Sequence, residues 1–309
     1  YESLIVARIL TGLAHGVFFS VGSIIATNLV SKDKAASAIA TMFSGMTVAF
    51  VTGIPLGTFI GQHLGWRVTF LVVAAFGVVA LLGSLLFVPK NIQHTPPAPL
   101  LRQARVLLQP RLLLVYAMTA VGYGGSLIAF TFLAPILQDP AGFSPNMGGA
   151  VLLAYGVSVA IGNIWGGRLA DQRGPVSALK IIFGLLASVL LVLTFTAGNP
   201  WLVVLTVLAE GAVAFGNVPG LQVYVVQQAE RVAPDAVDVA AGFNIAAFNL
   251  GVAGGSWAGG LVVSHLGLGH TPWIAAVVTL AAFGLTALSG RLDRRNSTEP
   301  SPIGAVPTH

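Results

Sequence analysis

Residues 49–61 read AFVTGIPLGTFIG, and residues 247–259 read AFNLGVAGGSWAG. Both stretches follow the pattern Ala-Phe-x-x-Gly-x-x-x-Gly-x-x-x-Gly, and the second copy is displaced by 198 residues (from residue 49 to residue 247). Glycines that recur every four residues share one helix face, where another helix can pack closely. Each copy lies in a long apolar run, so the chain is predicted to contain two related halves of the same orientation.

The composition around these stretches is that of a membrane protein. Of the 309 residues, only 8% are charged and 55% are hydrophobic, whereas roughly a quarter are charged in soluble domains. Because a helix needs about 20 apolar residues to cross a bilayer, we predict nine spans and an all-α membrane fold. The spans cover about 3–29, 38–62, 67–88, 112–137, 145–167, 177–197, 201–228, 239–264 and 271–290.

Positive charges mark one side of the predicted bundle. Every Lys and Arg except Arg8 and Arg67 falls in a few loops, in the C-terminal tail, or at an adjoining helix start (Lys180). These segments are 31–37, 89–111, 168–176, 229–238 and the tail from residue 291. The positive-inside rule makes this side, with the C-terminus, cytoplasmic. The pI of about 9.9 is therefore a topology signal, and nucleic acid is not an expected partner.

The two halves are unequal in this chain. Six predicted spans fall in the second half and three in the first, so three further spans are expected to precede Tyr1. The predicted organisation is a partial N-terminal bundle (1–88), a cytoplasmic linker (89–111), a C-terminal six-helix bundle (112–290) and a cytoplasmic tail (291–309).

With this repeat, the chain resembles the major facilitator superfamily, in its drug:proton antiporter branch, and is most similar to bacterial arabinose-efflux-permease-like proteins. The resemblance covers nearly all of residues 3–292. It implies a helical bundle of twelve spans in a bacterial inner membrane, nine of them present here. It also implies a monomeric transporter that exchanges protons for sugars or small drug-like solutes, without a cofactor. An uptake symporter and a truncated, non-transporting fragment are the alternatives.

The stretch GGRLADQRGP (166–175) sets charges between two apolar runs. It matches in part the pattern G-x-x-x-D-[RK]-x-G-[RK]-[RK] of the family, which implies a cytoplasmic gating loop. The predicted loop residues are Gly167, Arg168, Asp171, Arg173 and Gly174. Asp171 is expected to accept charge-assisted hydrogen bonds from one of the arginines or from a neighbouring helix end. An ordinary positive-inside turn is the alternative.

The glycine repeat predicts a helix-packing hinge. Its residues are Gly53, Pro55, Gly57, Gly61, Gly251, Gly255 and Gly259. Pro55 lacks a backbone N–H and should bend its helix. The antiporter signature of the family, G-x-x-x-G-P-x-x-G-G, matches this region loosely, because residues 53–57 read Gly-Ile-Pro-Leu-Gly. Generic packing of small residues is the alternative.

Two ionisable residues inside predicted spans, Glu210 and Arg8, are candidates for proton coupling. Glu210 is the only acidic residue in a predicted span, and burial favours the protonated form of a carboxyl group, so it is predicted to carry a proton. Arg8 matches an arginine that the resemblance associates with proton coupling. A structural role for Glu210 and snorkelling of Arg8 are the alternatives. Proton and substrate are then expected to compete for one cavity.

Polar groups on spans that face the cavity in the family give four predicted substrate residues: Tyr123, Ser126, Asn217 and Gln222. His15, Asn244 and Asn249 are instead expected to be structural. The sequence contains no cysteine, no metal-site spacing of histidines, no nucleophile paired with a base and no Walker loop. Neither an enzyme nor a metal site is therefore expected. The short loops also argue against a sensor.

Overall fold

The computed structural model describes residues 2–87, 106 and 108–298. The α-helices are α1 Glu2–Asn28, α2 Ala35–Val48, α3 Ile54–Leu64, α4 Trp66–Phe87, α5 Pro110–Phe130, α6 Leu133–Gln138, α7 Pro145–Arg173, α8 Pro175–Thr196, α9 Pro200–Ala214, α10 Asn217–Val232, α11 Val237–His265 and α12 Thr271–Thr298. No strand occurs in these residues, and the all-α fold class is confirmed. Most of the predicted linker, and the tail beyond residue 298, lie outside the described residues.

The predicted spans correspond to long helices. Within the described part of the chain, eight helical segments are long and apolar enough to cross a membrane. The predicted span at 38–62 is not one of them, because α2 and α3 have only 14 and 11 residues and a π-helical segment, Ala49–Gly53, joins them. Residues 35–64 are nevertheless helical throughout, so the ninth span is present in an interrupted form.

Each interruption of a span lies four residues before a proline. The prolines are Pro55, Pro135 and Pro219. A proline has no N–H to donate to the carbonyl four residues earlier, so that turn of the α-helix opens. The freed carbonyls belong to Val51 in the π-helical segment, to Thr131 between α5 and α6, and to Phe215 between α9 and α10. The Phe215 carbonyl accepts the N–H of Val218 instead, at 3.3 Å, which tightens the local turn.

The glycine face of α11 packs directly on α5. A Cβ atom added at Gly251 would lie 2.7 Å from the carbonyl oxygen of Ala120, and one added at Gly255 would overlap the carbonyl oxygen of Gly124. Gly259 makes a similar approach, one turn further along. The two backbones are in contact because no side chain separates them, which is the geometry that small residues allow between membrane helices.

The first glycine copy has no comparable neighbour among the described residues. A Cβ atom added at Gly53 would meet nothing within 4 Å, and those added at Gly57 and Gly61 would reach only the side chain of Thr69, at 3.7 and 3.5 Å. The bend predicted at Pro55 coincides with the π-helical segment, but tight packing is observed only for the second copy.

Helices α1–α4 meet helices α5–α12 at one end of the bundle. We call it the basic end, because its loops and helix ends carry Lys32, Lys34, Arg168, Arg173 and Arg231. The contacts join α1 to α11 and α2 to both α7 and α10. The buried residues of α1 begin at Phe19, and those described on α2 end at Phe43. Towards the opposite end, the described side chains of α1 are exposed, although the π-helical segment Ala49–Gly53 still contacts α7.

We expect Gly255→Ala to lower the free energy of unfolding by about 1–3 kcal/mol, because the added methyl group overpacks the contact of α11 with α5. Gly254→Ala is the matched control, since a Cβ atom at that position would meet nothing within 4 Å. Thermal unfolding of both purified variants in detergent checks the difference. Equal stability of the two variants would contradict the close contact.

Candidate functional site

A cavity of about 220 Å³ lies between the two sets of helices. It is lined by α1 and α2 from one set and by α5, α10 and α11 from the other. The lining residues are His15, Phe19, Phe43, Met46, Tyr123, Val218, Ile245, Phe248, Asn249 and Val252. Most of these side chains are apolar or aromatic and a few are polar, which is the usual composition of a small-molecule site.

Aromatic pairs form both walls of this cavity. On one side, the rings of Phe19 and Phe43 stack with centroids 4.9 Å apart. On the other side, the ring of Tyr123 stands edge-on to that of Phe248 at 5.2 Å. Polar groups come from His15, Tyr123 and Asn249, and no Asp, Glu, Lys or Arg is among the described residues of the lining. The cavity therefore suits a solute with an apolar body and few hydrogen-bonding groups.

Of the four predicted substrate residues, Tyr123 lines this cavity and the other three do not. The Ser126 hydroxyl donates to the carbonyl of Tyr123 on its own helix, at 2.8 Å. The Asn217 amide donates to the carbonyl of Ala214 at 2.8 Å, across the break between α9 and α10. Each of these two side chains donates its hydrogen bond to a backbone carbonyl group three residues earlier in the chain, and neither of them lines the cavity.

Gln222 belongs to a buried polar network inside the C-terminal helices. Its side-chain oxygen accepts a hydrogen bond from the amide of Asn244 at 2.9 Å, and Asn244 in turn accepts one from the hydroxyl of Thr119 at 2.7 Å. The network joins α10, α11 and α5. This network agrees with the structural role expected for Asn244. Gln222 belongs to it and does not line the cavity.

His15 and Asn249, for which the sequence predicts structural roles, both line the cavity. The spacing along α11 is consistent with this position of Asn249. Its four lining residues, at 245, 248, 249 and 252, fall at positions i, i+3, i+4 and i+7, which share one helix face. His15 lies one turn before Phe19 on α1, and the centroids of their rings are 4.6 Å apart.

Glu210 is fully buried near the end of α9. The hydroxyl of Tyr155, on α7, faces the carboxyl group of Glu210, but the two groups do not reach regular hydrogen-bond geometry. Glu210 does not line the cavity. The expectation that proton and substrate compete for one cavity therefore has no counterpart in this geometry. The side chain of Arg8 lies outside the described residues, and its role stays a prediction.

The predicted gating loop joins the two sets of helices. The carboxylate of Asp171 accepts the backbone N–H groups of Ala36 and Ser37, at 2.8 and 2.9 Å. Both N–H groups belong to the first turn of α2, so a negative charge caps the N-terminus of a helix in the other set. Gly167, one turn earlier, packs on the same helix: a Cβ atom added there would lie 2.7 Å from the Cβ atom of Ala40.

The rest of the loop supports this contact. Gly174 has φ +76°, which L side chains rarely adopt, and it separates α7 from α8. Arg168 and Arg173 are exposed, and the hydrogen bonds of Asp171 go to the helix end, not to these arginines. Of the partners predicted for Asp171, the helix end is the one observed.

Further contacts close the basic end. The amide of Asn163 donates to a backbone carbonyl oxygen of α2 at 2.9 Å, and the hydroxyl of Ser20 donates to the carbonyl oxygen of Asp238 at 2.9 Å. The ammonium group of Lys32 lies 3.9 Å from the carboxylate of Glu230. That pair is exposed, and such pairs contribute only about 0–1 kcal/mol. The hydrogen bonds to backbone groups are therefore expected to stabilise the closed basic end more than this ion pair does.

No group of three or more His, Asp or Glu residues that could hold a metal ion occurs in the part of the chain that the structure describes.

A family model described as Major Facilitator Superfamily matches residues 1–233. The MFS-type transporter YtbD of Bacillus subtilis is 46% identical over 296 residues, which cover 96% of this chain and 74% of YtbD. The inner membrane transport protein YdhP of Escherichia coli is 38% identical over 292 residues, which cover 94% and 74%. A probable sugar efflux transporter of Pasteurella multocida is 30% identical over 286 residues, which cover 91% and 68%.

Solved structures share the fold. The fucose:proton symporter FucP of Escherichia coli superposes with a TM-score of 0.70 at 12% identity, over 88% of this chain and 73% of that one. A bacterial homologue of the iron transporter ferroportin, in an outward-facing state, gives a TM-score of 0.64 at 16% identity, over 89% and 68%. At these identities the likeness concerns the fold alone.

We expect Asp171→Asn to loosen the basic end, because the asparagine loses the charge and one of the two acceptors that hold α2. Hydrogen bonds to charged groups contribute about 1.5–3 kcal/mol. Labelling of a single cysteine at Ser23, which is fully buried on α1, by a water-soluble maleimide measures the opening. The chain contains no cysteine of its own.

Arg173→Gln is the control for this experiment, since Arg173 is exposed in the same loop and does not bond Asp171. Labelling should rise in the Asp171→Asn variant and stay unchanged in the control. An unchanged rate in both variants would reduce the loop to a topology signal.

Proposed function

Since this chain belongs to the Major Facilitator Superfamily, we propose that it moves small organic solutes across a bacterial inner membrane by alternating access, in exchange for protons. The observation that carries the proposal is the cavity between the two sets of helices, whose buried contacts are concentrated towards the basic end. A transporter that alternates between two states needs such a site, closed on one side by contacts that can break.

The basic end is the cytoplasmic end in this proposal. Loops rich in Lys and Arg stay on the cytoplasmic side of the inner membrane, and the C-terminal helix α12 ends there with Arg291, Arg294 and Arg295. The described state is then closed to the cytoplasm. The hydrogen bonds from the first turn of α2 to the carboxylate of Asp171 keep the cytoplasmic side closed in this proposal. They have to break before the inward-open state forms.

The proposed orientation predicts that the C-terminus is cytoplasmic. Green fluorescent protein fused after His309 should fluoresce in intact cells, whereas alkaline phosphatase fused at the same position should be inactive, because the phosphatase matures only in the periplasm. The same pair of fusions in the loop after α6, at Asp139, serves as the reversed control. An active C-terminal phosphatase would overturn the orientation.

The cavity chemistry favours amphipathic solutes over free sugars. A sugar presents many hydroxyl groups, and each of them costs free energy when it is buried without a hydrogen bond. Among the described residues, the lining offers His15, Tyr123 and Asn249 as polar partners, and the Asn249 amide already donates to the carbonyl of Ile245 at 2.9 Å. The relative named for sugar efflux makes sugars the second candidate, to be compared in the same assay.

Glu210 is the proposed proton carrier. It is fully buried, and among the described residues the polar group that faces its carboxyl group is the neutral hydroxyl of Tyr155. A carboxylate without a positively charged partner is unstable in a low-dielectric interior, so this group should alternate between a protonated buried form and a charged form in contact with water. Arg8 is the proposed partner of that charged form in another state of the cycle.

We expect Glu210→Gln to abolish proton-coupled flux, because glutamine cannot release a proton at this site. In inverted membrane vesicles, addition of ethidium or of arabinose should change the internal pH in the parent protein and leave it unchanged in the variant. Asp139→Asn removes an exposed carboxyl group and should behave like the parent. Wild-type coupling in the Glu210→Gln variant would place the proton carrier elsewhere.

A further inference from the structure

Four aromatic rings stand in a row between the solute cavity and Glu210. Tyr123 lines the cavity, and its ring is edge-on to that of Phe215 at 5.6 Å. Phe215 contacts Phe130 at 6.4 Å, and Phe130 stacks on Tyr155 at 5.4 Å. We call these four residues the aromatic row. Tyr155, at its far end, faces the carboxyl group of Glu210.

The aromatic row leaves little room for water. Tyr155 and Phe215 are buried, with relative exposures of 4% and 8%. At the far end, a Cβ atom added at Gly211 would lie 2.8 Å from the Tyr155 ring, so this ring rests directly on the backbone beside Glu210. Close ring packing of this kind fills space at the density of a protein core. A hydrated path from the cavity to Glu210 is therefore blocked in this state.

Among the described residues of the helices around Glu210, no further ionisable side chain lies where it could carry a proton between Glu210 and the cavity. α9 carries no second ionisable residue, and the only ionisable residue of α8 is Lys180, in its second turn from the basic end. From α7, the group that faces Glu210 is Tyr155, and behind it Tyr123 of α5. The polar surroundings of Glu210 on the cavity side thus end in the aromatic row.

We propose that Glu210 exchanges its proton outside the solute cavity, and that the aromatic row keeps the proton site and the solute site apart. The inference rests on the proposed function, in which Glu210 is the proton carrier. It changes the mechanism of coupling: solute and proton occupy the protein together, and neither displaces the other from a shared site.

Coupling then passes through the break between α9 and α10. Phe215 lies in that break, Glu210 lies five residues before it on α9, and Val218 lies three residues after it and lines the cavity. Because Pro219 removes a backbone hydrogen bond there, the two helices can change their relative angle at low cost. A solute that contacts Val218 and a proton on Glu210 can then bias the same two-state element.

Carbodiimide labelling of Glu210 in the purified chain tests the separation without a known substrate. A carbodiimide adds to a protonated carboxyl group and rearranges to a stable N-acylurea, with no leaving group, and peptide mass spectrometry locates the adduct. Apolar dicyclohexylcarbodiimide should label Glu210 in every variant, because it enters through the apolar interior. A water-soluble carbodiimide should label Glu210 slowly in the parent protein.

Phe215→Ala should speed labelling by the water-soluble reagent at least about tenfold, since the truncation opens the row to the cavity. Phe130→Ala is a second variant that opens the same row, and Phe195→Ala, at a ring that is 81% exposed on α8, is the matched control. Gel filtration shows that each variant remains folded.

Blocking the cavity gives the complementary result. Asn249→Cys places a unique thiol in the cavity, and Leu250→Cys places one on the outer surface of the same helix, where the leucine is 67% exposed. Reaction of each thiol with benzylmaleimide should abolish the acceleration by Phe215→Ala only for the cysteine at position 249.

Three results would overturn the proposal. The first is rapid water-soluble labelling of Glu210 in the parent that the adduct at position 249 blocks, because the two sites would then share one cavity. The second is an unchanged labelling rate in both the Phe215→Ala and the Phe130→Ala variants. The third is no labelling by the apolar reagent. This last result would also remove Glu210 as a proton carrier, whereas the first two leave the proposed function intact.

Discussion

The carboxylate of Asp171, near the end of α7, makes the one charged hydrogen-bonding contact found among the described residues between the N-terminus of a helix in one set and the other set. It accepts two N–H groups of the first turn of α2, groups that have no partner within their own helix. The bond therefore satisfies donors that would be costly to bury and places a negative charge at the positive end of a helix dipole. With Gly167 against the same helix, it fixes the approach of α2 to α7. The cavity lies between the two sets of helices, beyond this closed end.

Prolines decide where the long helices become irregular, and neighbouring helices decide whether that irregularity can persist. Backbone groups freed in hydrocarbon are unstable unless protein surrounds them. At the break between α9 and α10, Phe215 is buried, its carbonyl accepts the N–H of Val218, and the side chain of Asn217 bonds the carbonyl of Ala214. The backbone carbonyl groups of Phe215 and Ala214 therefore keep hydrogen-bonding partners at the break. The break lies between the buried carboxyl group of Glu210 and the cavity wall.

The glycine repeat illustrates how one pattern can have two structural outcomes. In the second copy, the glycines bring α11 into backbone contact with α5, and the tight pair forms a rigid base for the cavity residues of α11. In the first copy, the same spacing flanks a π-helical segment, and its glycines touch little of the described protein. Equal spacing predicts a common helix face. Whether that face is filled depends on a second helix.

Features that follow from local chemistry could be predicted from the amino-acid sequence. Long apolar runs require helices in hydrocarbon, a proline opens the turn that precedes it, and Gly174 alone suits the left-handed turn before α8. The loop chemistry also predicted that Asp171 accepts hydrogen bonds, but it left two arginines and a neighbouring helix end open as the donors. The burial of Glu210 could be inferred from its apolar neighbours in the span.

Which polar residues face the cavity depends on how the helices pack together. Ser126, Asn217 and Gln222 donate to or accept from nearby backbone or a buried network, whereas His15 and Asn249 line the cavity between the two sets of helices. Helices such as α8 and α9 are apolar on most sides, so the hydrophobic pattern does not mark the side that faces the cavity. That choice depends on the helices packed around it, as does the aromatic row, whose four rings come from α5, α7 and the break before α10.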